Sequence, residues 1–105
     1  MIRNTIATAI EAAKKATESH LKSNGEGFMC GFAWAVVSPG TSKVARILKE
    51  FGGEKAYGIK GIQLWNPSGH YTQCVVAKEV GAGQFVKVMK AAFPELMIYS
   101  SSGLD

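Results

Sequence analysis

The chain has 105 residues, 47% of them hydrophobic and 19% charged. That is the length of a single domain and the composition of a packed globule, which excludes a disordered tail and a two-domain arrangement. Twelve Lys and Arg against eight Asp and Glu leave a formal +4, and no apolar run approaches the ~20 residues of a membrane-spanning helix.

The first segment, 5–23, reads as a helix. Ile6, Ile10, Ala13, Thr17 and Leu21 recur at helical spacing, with Glu11, Lys14, Lys15 and Glu18 on the other side. Asn24-Gly25 supplies a left-handed stop. The apolar stripe is thin, so this helix is expected to pack late or against a partner. Residues 28–37 read as a strand with two different faces. Phe28, Cys30, Phe32, Trp34 and Val36 form a bulky face, and Met29, Gly31, Ala33, Ala35 and Val37 a nearly bare one. Neither face is charged, so a central strand is expected.

Ser38-Pro39-Gly40 is a turn, and Thr41 or Ser42 caps a second helix with Val44, Ile47, Leu48 and Phe51 as its core stripe. Gly52-Gly53 ends it. Strands are expected over 59–65 and 71–76, joined into a hairpin by Asn66-Pro67-Ser68-Gly69. A third helix covers 78–92, with Phe85, Val88, Met89 and Ala92 at helical spacing and Pro94 at its end. A short strand over 96–100 and a tail over 101–105 complete the chain.

The order is a helix followed by β-α-β-β-α-β over 28–100. This is an α+β domain, the split βαβ sheet of ferredoxin-like folds preceded by an extra helix. Right-handed crossovers put both inner helices on one sheet face, with 28–37 and 71–76 as the central strands. The Gly31-Ala33-Ala35 face beds those helices. The aromatic face stays open unless the N-terminal helix covers it.

The basic residues are scattered and form no run, which reads as solvated helix faces. Phe32 and Trp34 invite comparison with sheets that stack bases, but no basic residue precedes Gly31 and no aromatic stands at Val37. Aromatics at period two are usually core residues. Cys30 with His70 could form a nucleophile and base, although a cysteine on a strand is commonly inert. Cys30, Cys74, His20 and His70 lack metal-ligand spacing, and Gly81-Ala82-Gly83 is too short for a dinucleotide loop, so no metal or cofactor is expected.

The hairpin tip is the richest constellation. Trp65, Asn66, Ser68, His70 and Tyr71 surround one turn, with Gln73 just after it and Tyr57 shortly before. Stiff aromatics beside small polar groups are typical of binding sites. The plainer reading is a good turn with Trp65 folded back onto the core.

Cys30-Gly31-Phe32-Ala33-Trp34, Leu64-Trp65-Asn66-Pro67-Ser68-Gly69, Ala77-Lys78-Glu79 with Gly81-Ala82, and Leu104-Asp105 together resemble a family of small proteins encoded by tailed bacteriophages. The resemblance covers roughly the last three-quarters of the chain. It departs at Gly103, where arginine would be expected. It implies an origin and no particular chemistry.

These readings lead to a non-enzymatic phage accessory protein in the host cytoplasm. Met1-Ile2-Arg3-Asn4-Thr5 lacks the basic start and apolar block of a secretory signal, and Cys30 and Cys74 are expected to be thiols. It would bind a host or defence-system protein, or sequester a small ligand such as a nucleotide, through Tyr57, Trp65, Asn66, Ser68, His70, Tyr71 and Gln73. Nucleic-acid binding by the sheet face or the lysines, and a small cysteine hydrolase built on Cys30 and His70, are the alternatives. Self-association as a homodimer fits any of these readings.

Overall fold

The computed structural model describes residues 1–27, 29–56 and 60–104, beginning with a 23-residue helix, α1 (Ile2–Asn24). Its buried positions, Ile6, Ala9, Ala13 and Thr17, are mostly small, so the helix can lie close to a neighbour. Gly25, at φ 70°, ends it by donating its N–H to the Leu21 carbonyl at 2.7 Å.

Strand β1 (Gly31–Ser38) follows. Gly31, Ala33, Ala35 and Val37 are buried on one face, while Phe32 on the other is exposed and Trp34 is half-buried. The Ser42 hydroxyl accepts from Ala45 N–H at 3.1 Å and so caps α2 (Lys43–Leu48), which tightens into a 3-10 turn over Lys49–Phe51. Gly52 closes that turn at φ 101°.

Two short strands, β2 (Glu54–Lys55) and β3 (Ile62–Trp65), precede α3 (Val75–Ala92) and the long last strand β4 (Met97–Leu104). The fold is therefore mixed α+β, with three α-helices and one four-stranded antiparallel sheet ordered β2-β3-β1-β4 among the described residues. β1 pairs with β4 from Gly31↔Leu104 to Ser38↔Met97, and with β3 from Trp34↔Trp65 to Val37↔Ile62.

The core lies between one sheet face and the helices. Ala35, Val37, Ile62, Leu64 and Ile98 project from the sheet to meet Leu48, Phe85 and Met89. Burying such aliphatic and aromatic side chains stabilises the fold by about 1.5–3 kcal/mol each relative to exposure. α3 packs on β1 and β4, α2 on β3 and β1, and α1 mainly along α3.

Four expectations are corrected here. Residues 71–73 are irregular and Cys74 makes a lone bridge to Cys30, so 71–76 is not a strand. The first helical bond of α3, Lys78 N–H to Cys74 O at 3.1 Å, brings Val75 and Val76 into the helix. The sheet order consequently differs from the one expected. β3 stands beside β1 in the centre, and the outer place belongs to β2, whose two residues carry too little apolar surface to be visible as a strand.

The segment 101–104 is not a tail. It is half of β4, where Gly31 and Gly103 permit the close strand approach that an added Cβ on Gly31 would block against the Gly103 carbonyl. Finally, α1 finds its packing partner within the chain, on α3, and does not cover the aromatic face. Its Thr17 hydroxyl is fully buried and donates to Ala77 O of α3 at 2.9 Å. The strand expected over 59–65 is described from Ile62 onward, and Phe28, Tyr57 and Ile59 lie outside the described residues.

Candidate interaction surface

The registers decide what the second sheet face presents. Residues directly opposite in a ladder point to the same side. Trp34 opposes Trp65 on β3 and Ser101 on β4, Phe32 opposes Gly103, and Val36 opposes Gln63 and Tyr99. All these side chains lie on the side away from the buried Ala33, Ala35 and Val37.

The rings form one cluster. Trp34 and Trp65 have centroids 4.8 Å apart at 49°, and Phe32 meets Trp65 edge-on at 6.2 Å. They are not core: Phe32 is 49% exposed and Trp65 45% exposed. The sequence expectation that period-two aromatics here are interior residues is therefore overturned for Phe32. The reason is that all helix packing is spent on the small-residue face. Val36, on the open side, is the exception and is buried close to Gly61.

A buried lysine supports the cluster from one end. Lys78 donates its amine to the Gly31 carbonyl at 2.8 Å and sits 5.5 Å from the Phe32 ring centroid, a cation–π contact that orients the ring. Exposed Met97, opposite Ser38, extends the apolar surface at its margin. By register, the charged side chain on this face among the described residues of the four strands is Glu54, opposite Gln63.

Of the residues expected to form a hairpin site, the structure gathers Asn66, Ser68, His70 and Tyr71 in one loop and turns Trp65 to the sheet. With no strand over 71–76, the turn after Trp65 becomes the link from β3 to α3. Trp65 joins the sheet cluster. Asn66 adopts φ 46°, accepts Gly69 N–H at its carbonyl at 2.8 Å, and donates its side-chain amide to His70 O at 2.9 Å. The Ser68 hydroxyl donates to Asn66 Oδ1 at 3.2 Å and accepts from His70 N–H at 3.2 Å. His70 Nδ1 accepts from Thr72 N–H at 3.1 Å. These polar groups are satisfied within their own loop, as buried and half-buried groups must be. Tyr71 is 88% exposed and stacks on His70 at 4.6 Å, and Gln73 is exposed. Tyr57 lies outside the described residues.

Cys30 is exposed and faces the buried Cys74 across their bridge. Among the described residues no hydrogen bond joins Cys30 to His70, whose Nδ1 is held by the backbone of Thr72. The Cys74 thiol accepts from Gly27 N–H at 3.4 Å. That bond, then the amide of Ala77, lowers its pKa below the ordinary thiol value against the opposing effect of burial. Among the described residues no three His, Cys, Asp or Glu side chains gather as metal ligands, and no helix is long and apolar enough to cross a membrane.

Sequence reasoning named Trp65 but did not join it to Phe32 and Trp34. The available signal was the charge-free alternation of β1, whose bulky face needed a covering element that the described residues do not supply. No protein-family model, curated protein or solved structure matches this chain.

Proposed function

We propose that this chain is a non-enzymatic binding protein that docks a protein partner on the open aromatic sheet face. We further propose that it is a phage accessory factor acting in the host cytoplasm on a host or defence-system protein. The observation that carries the binding reading is the cluster of Phe32, Trp34 and Trp65 on the side of the sheet away from the helices, with Phe32 and Trp65 about half exposed. Exposed contiguous apolar surface marks interaction sites, and tryptophan and tyrosine dominate their energetics. A partner suited to it presents apolar and aromatic groups and little net charge. The phage origin rests on the resemblance in Cys30–Trp34, Leu64–Gly69 and Ala77–Glu79.

The sheet arrangement is read as a variant of the ferredoxin-like split βαβ fold. Two β-α-β crossovers with α2 and α3 on one face support this reading.

The test is quantitative capture from a bacterial lysate with the parent chain, Trp65→Ser and the remote control Lys14→Ser. A hot-spot tryptophan contributes at least ~2 kcal/mol, about thirtyfold in affinity. The expected result is a protein enriched by the parent and by Lys14→Ser and lost with Trp65→Ser, whose circular dichroism is unchanged. A capture profile identical for all three chains would end the reading.

A further inference from the structure

A second site stands apart from the aromatic face, at the end of the sheet where β2 meets the turn into α2. A cavity of about 370 Å³ opens there, lined by Lys49, Lys55 and Lys60 together with Pro39, Gly61 and Ile62 among others. The three lysines come from three separate segments: the 3-10 turn after α2, strand β2, and the approach to β3. Their convergence is a product of the fold, not of a basic run.

Backbone bonds fix the segments that carry them. Ala56 N–H donates to Gly61 O at 2.9 Å, and the Ser38 hydroxyl donates to Lys60 O at 2.8 Å. Gly40 and Gly61 pack backbone to backbone, since a Cβ on Gly40 would lie 3.4 Å from Gly61 Cα.

The charge is unbalanced. Among the described residues no carboxylate lines the cavity. Glu50, on the same 3-10 turn as Lys49, is held by Arg3 through two bonds of 2.8 and 2.7 Å. Glu54, next to Lys55, opposes Gln63 and points to the other sheet face, whereas Lys55 opposes Ile62. Three ammonium groups around one concavity repel one another and focus a positive potential into it. An anion of matching charge removes that repulsion. Lysine is a common phosphate ligand, acting as a point charge.

We propose that this cavity binds a phosphate-bearing small molecule of nucleotide size. Lys49, Lys55 and Lys60 neutralise its phosphates, and Pro39 and Ile62 cover its organic part. The volume lies in the range of small-molecule sites. This assignment is independent of the open-face reading and stands or falls without it.

The experiment is NMR titration of the ¹⁵N-labelled chain with ADP, with inorganic pyrophosphate, and with an oligothymidylate at equal phosphate concentration. ADP is expected to shift the amides of Gly40, Thr41 and Gly61 saturably. Its affinity should fall about tenfold in each of Lys49→Gln, Lys55→Gln and Lys60→Gln, the loss of one charge-assisted contact, and stay unchanged in Lys14→Gln. Pyrophosphate should bind more weakly than ADP, because it leaves the apolar wall uncovered. Absence of saturation, or equal affinity in the lysine variants, would overturn the site. Pyrophosphate binding as tightly as ADP would overturn the organic half of the assignment. Tighter binding of the oligothymidylate through the same amides would reassign the lysines to a nucleic-acid backbone.

Discussion

Cys30 and Cys74 face each other as an antiparallel pair, bracketed by Gly31 N–H to Gln73 O at 3.3 Å and Val75 N–H to Met29 O at 3.1 Å. These bonds flank the pair without joining it, the arrangement that brings Cα atoms to roughly 4.5 Å, within the disulfide range. The lowered pKa of Cys74 raises its thiolate fraction, and exposed Cys30 gives oxidants access. Diamide should therefore close the bridge within one chain. The two thiols lose two protons and two electrons, and the diazene is reduced to its hydrazine. Maleimide labelling after diamide is expected to find neither thiol free, with the mass still that of one chain. Two labelled thiols, or a cross-linked dimer, would show that the side chains do not meet. Spacing along the chain hides this pair, since 44 positions separate residues whose contact depends on a single bridge. The loop side chains were equally illegible. Asn66, Ser68 and His70 have the composition of a binding site, yet each is engaged by a neighbouring backbone or side-chain group.

Helix α1 shows how element identity can be legible when element placement is not. Its existence followed from periodicity, and its stop from Asn24-Gly25. Its partner did not, because the contact is made by small groups that carry little hydropathy signal. A Cβ added at Gly81 would fall inside contact distance of Thr17 Oγ1, 3.0 Å from Ser68 Cβ and 3.2 Å from Ala13 O. Two effects compete in Gly81→Ala. Helix propensity favours alanine by about 1 kcal/mol, whereas overpacking costs about 1–3 kcal/mol. The crowding involves two residues of α1 and one loop residue at once, so it should win. Urea denaturation is expected to show a net loss of about 1–2 kcal/mol, partly relieved by adding Thr17→Ala. A more stable Gly81→Ala chain would mean that the two helices are not in close contact. Strand β4 failed differently. Ser101-Ser102-Gly103 reads as a polar tail, yet it continues the ladder with β1, helped by the glycine approach at Gly31 and the bond from the Ser102 hydroxyl to the Glu79 carboxylate.

Across the whole molecule the charges and the aromatic cluster are segregated. Exposed Lys14, Lys15, Lys22, Lys87 and Lys90 belong to α1 and α3, and Lys49, Lys55 and Lys60 line the cavity. Strands β1, β3 and β4 contain neither Lys nor Arg, and the register puts Glu54 on the open face. A stacking platform for single strands needs cations that track the phosphates beside its aromatics. The one helix lysine beside the rings, Lys78, is buried with its amine held by the Gly31 carbonyl, while the exposed helix lysines lie behind the sheet, and exposed charges beyond a Debye length of about 8 Å are largely screened at physiological salt. Net charge alone therefore misleads about this face, and the alternative of nucleic-acid binding separates into two parts. Weak attraction to the lysines should exist at low salt and fall steeply as salt releases the bound counterions. Base stacking should not accompany it. Both tryptophans of the chain, Trp34 and Trp65, stand in the cluster, so intrinsic fluorescence reports on that face alone. Titration with oligothymidylate at low salt is expected to leave their emission unchanged even where anisotropy of a labelled oligonucleotide reports association. Saturable quenching that follows the anisotropy would instead place bases on Phe32, Trp34 and Trp65, and would make single-stranded nucleic acid, not a protein, the occupant of the open sheet.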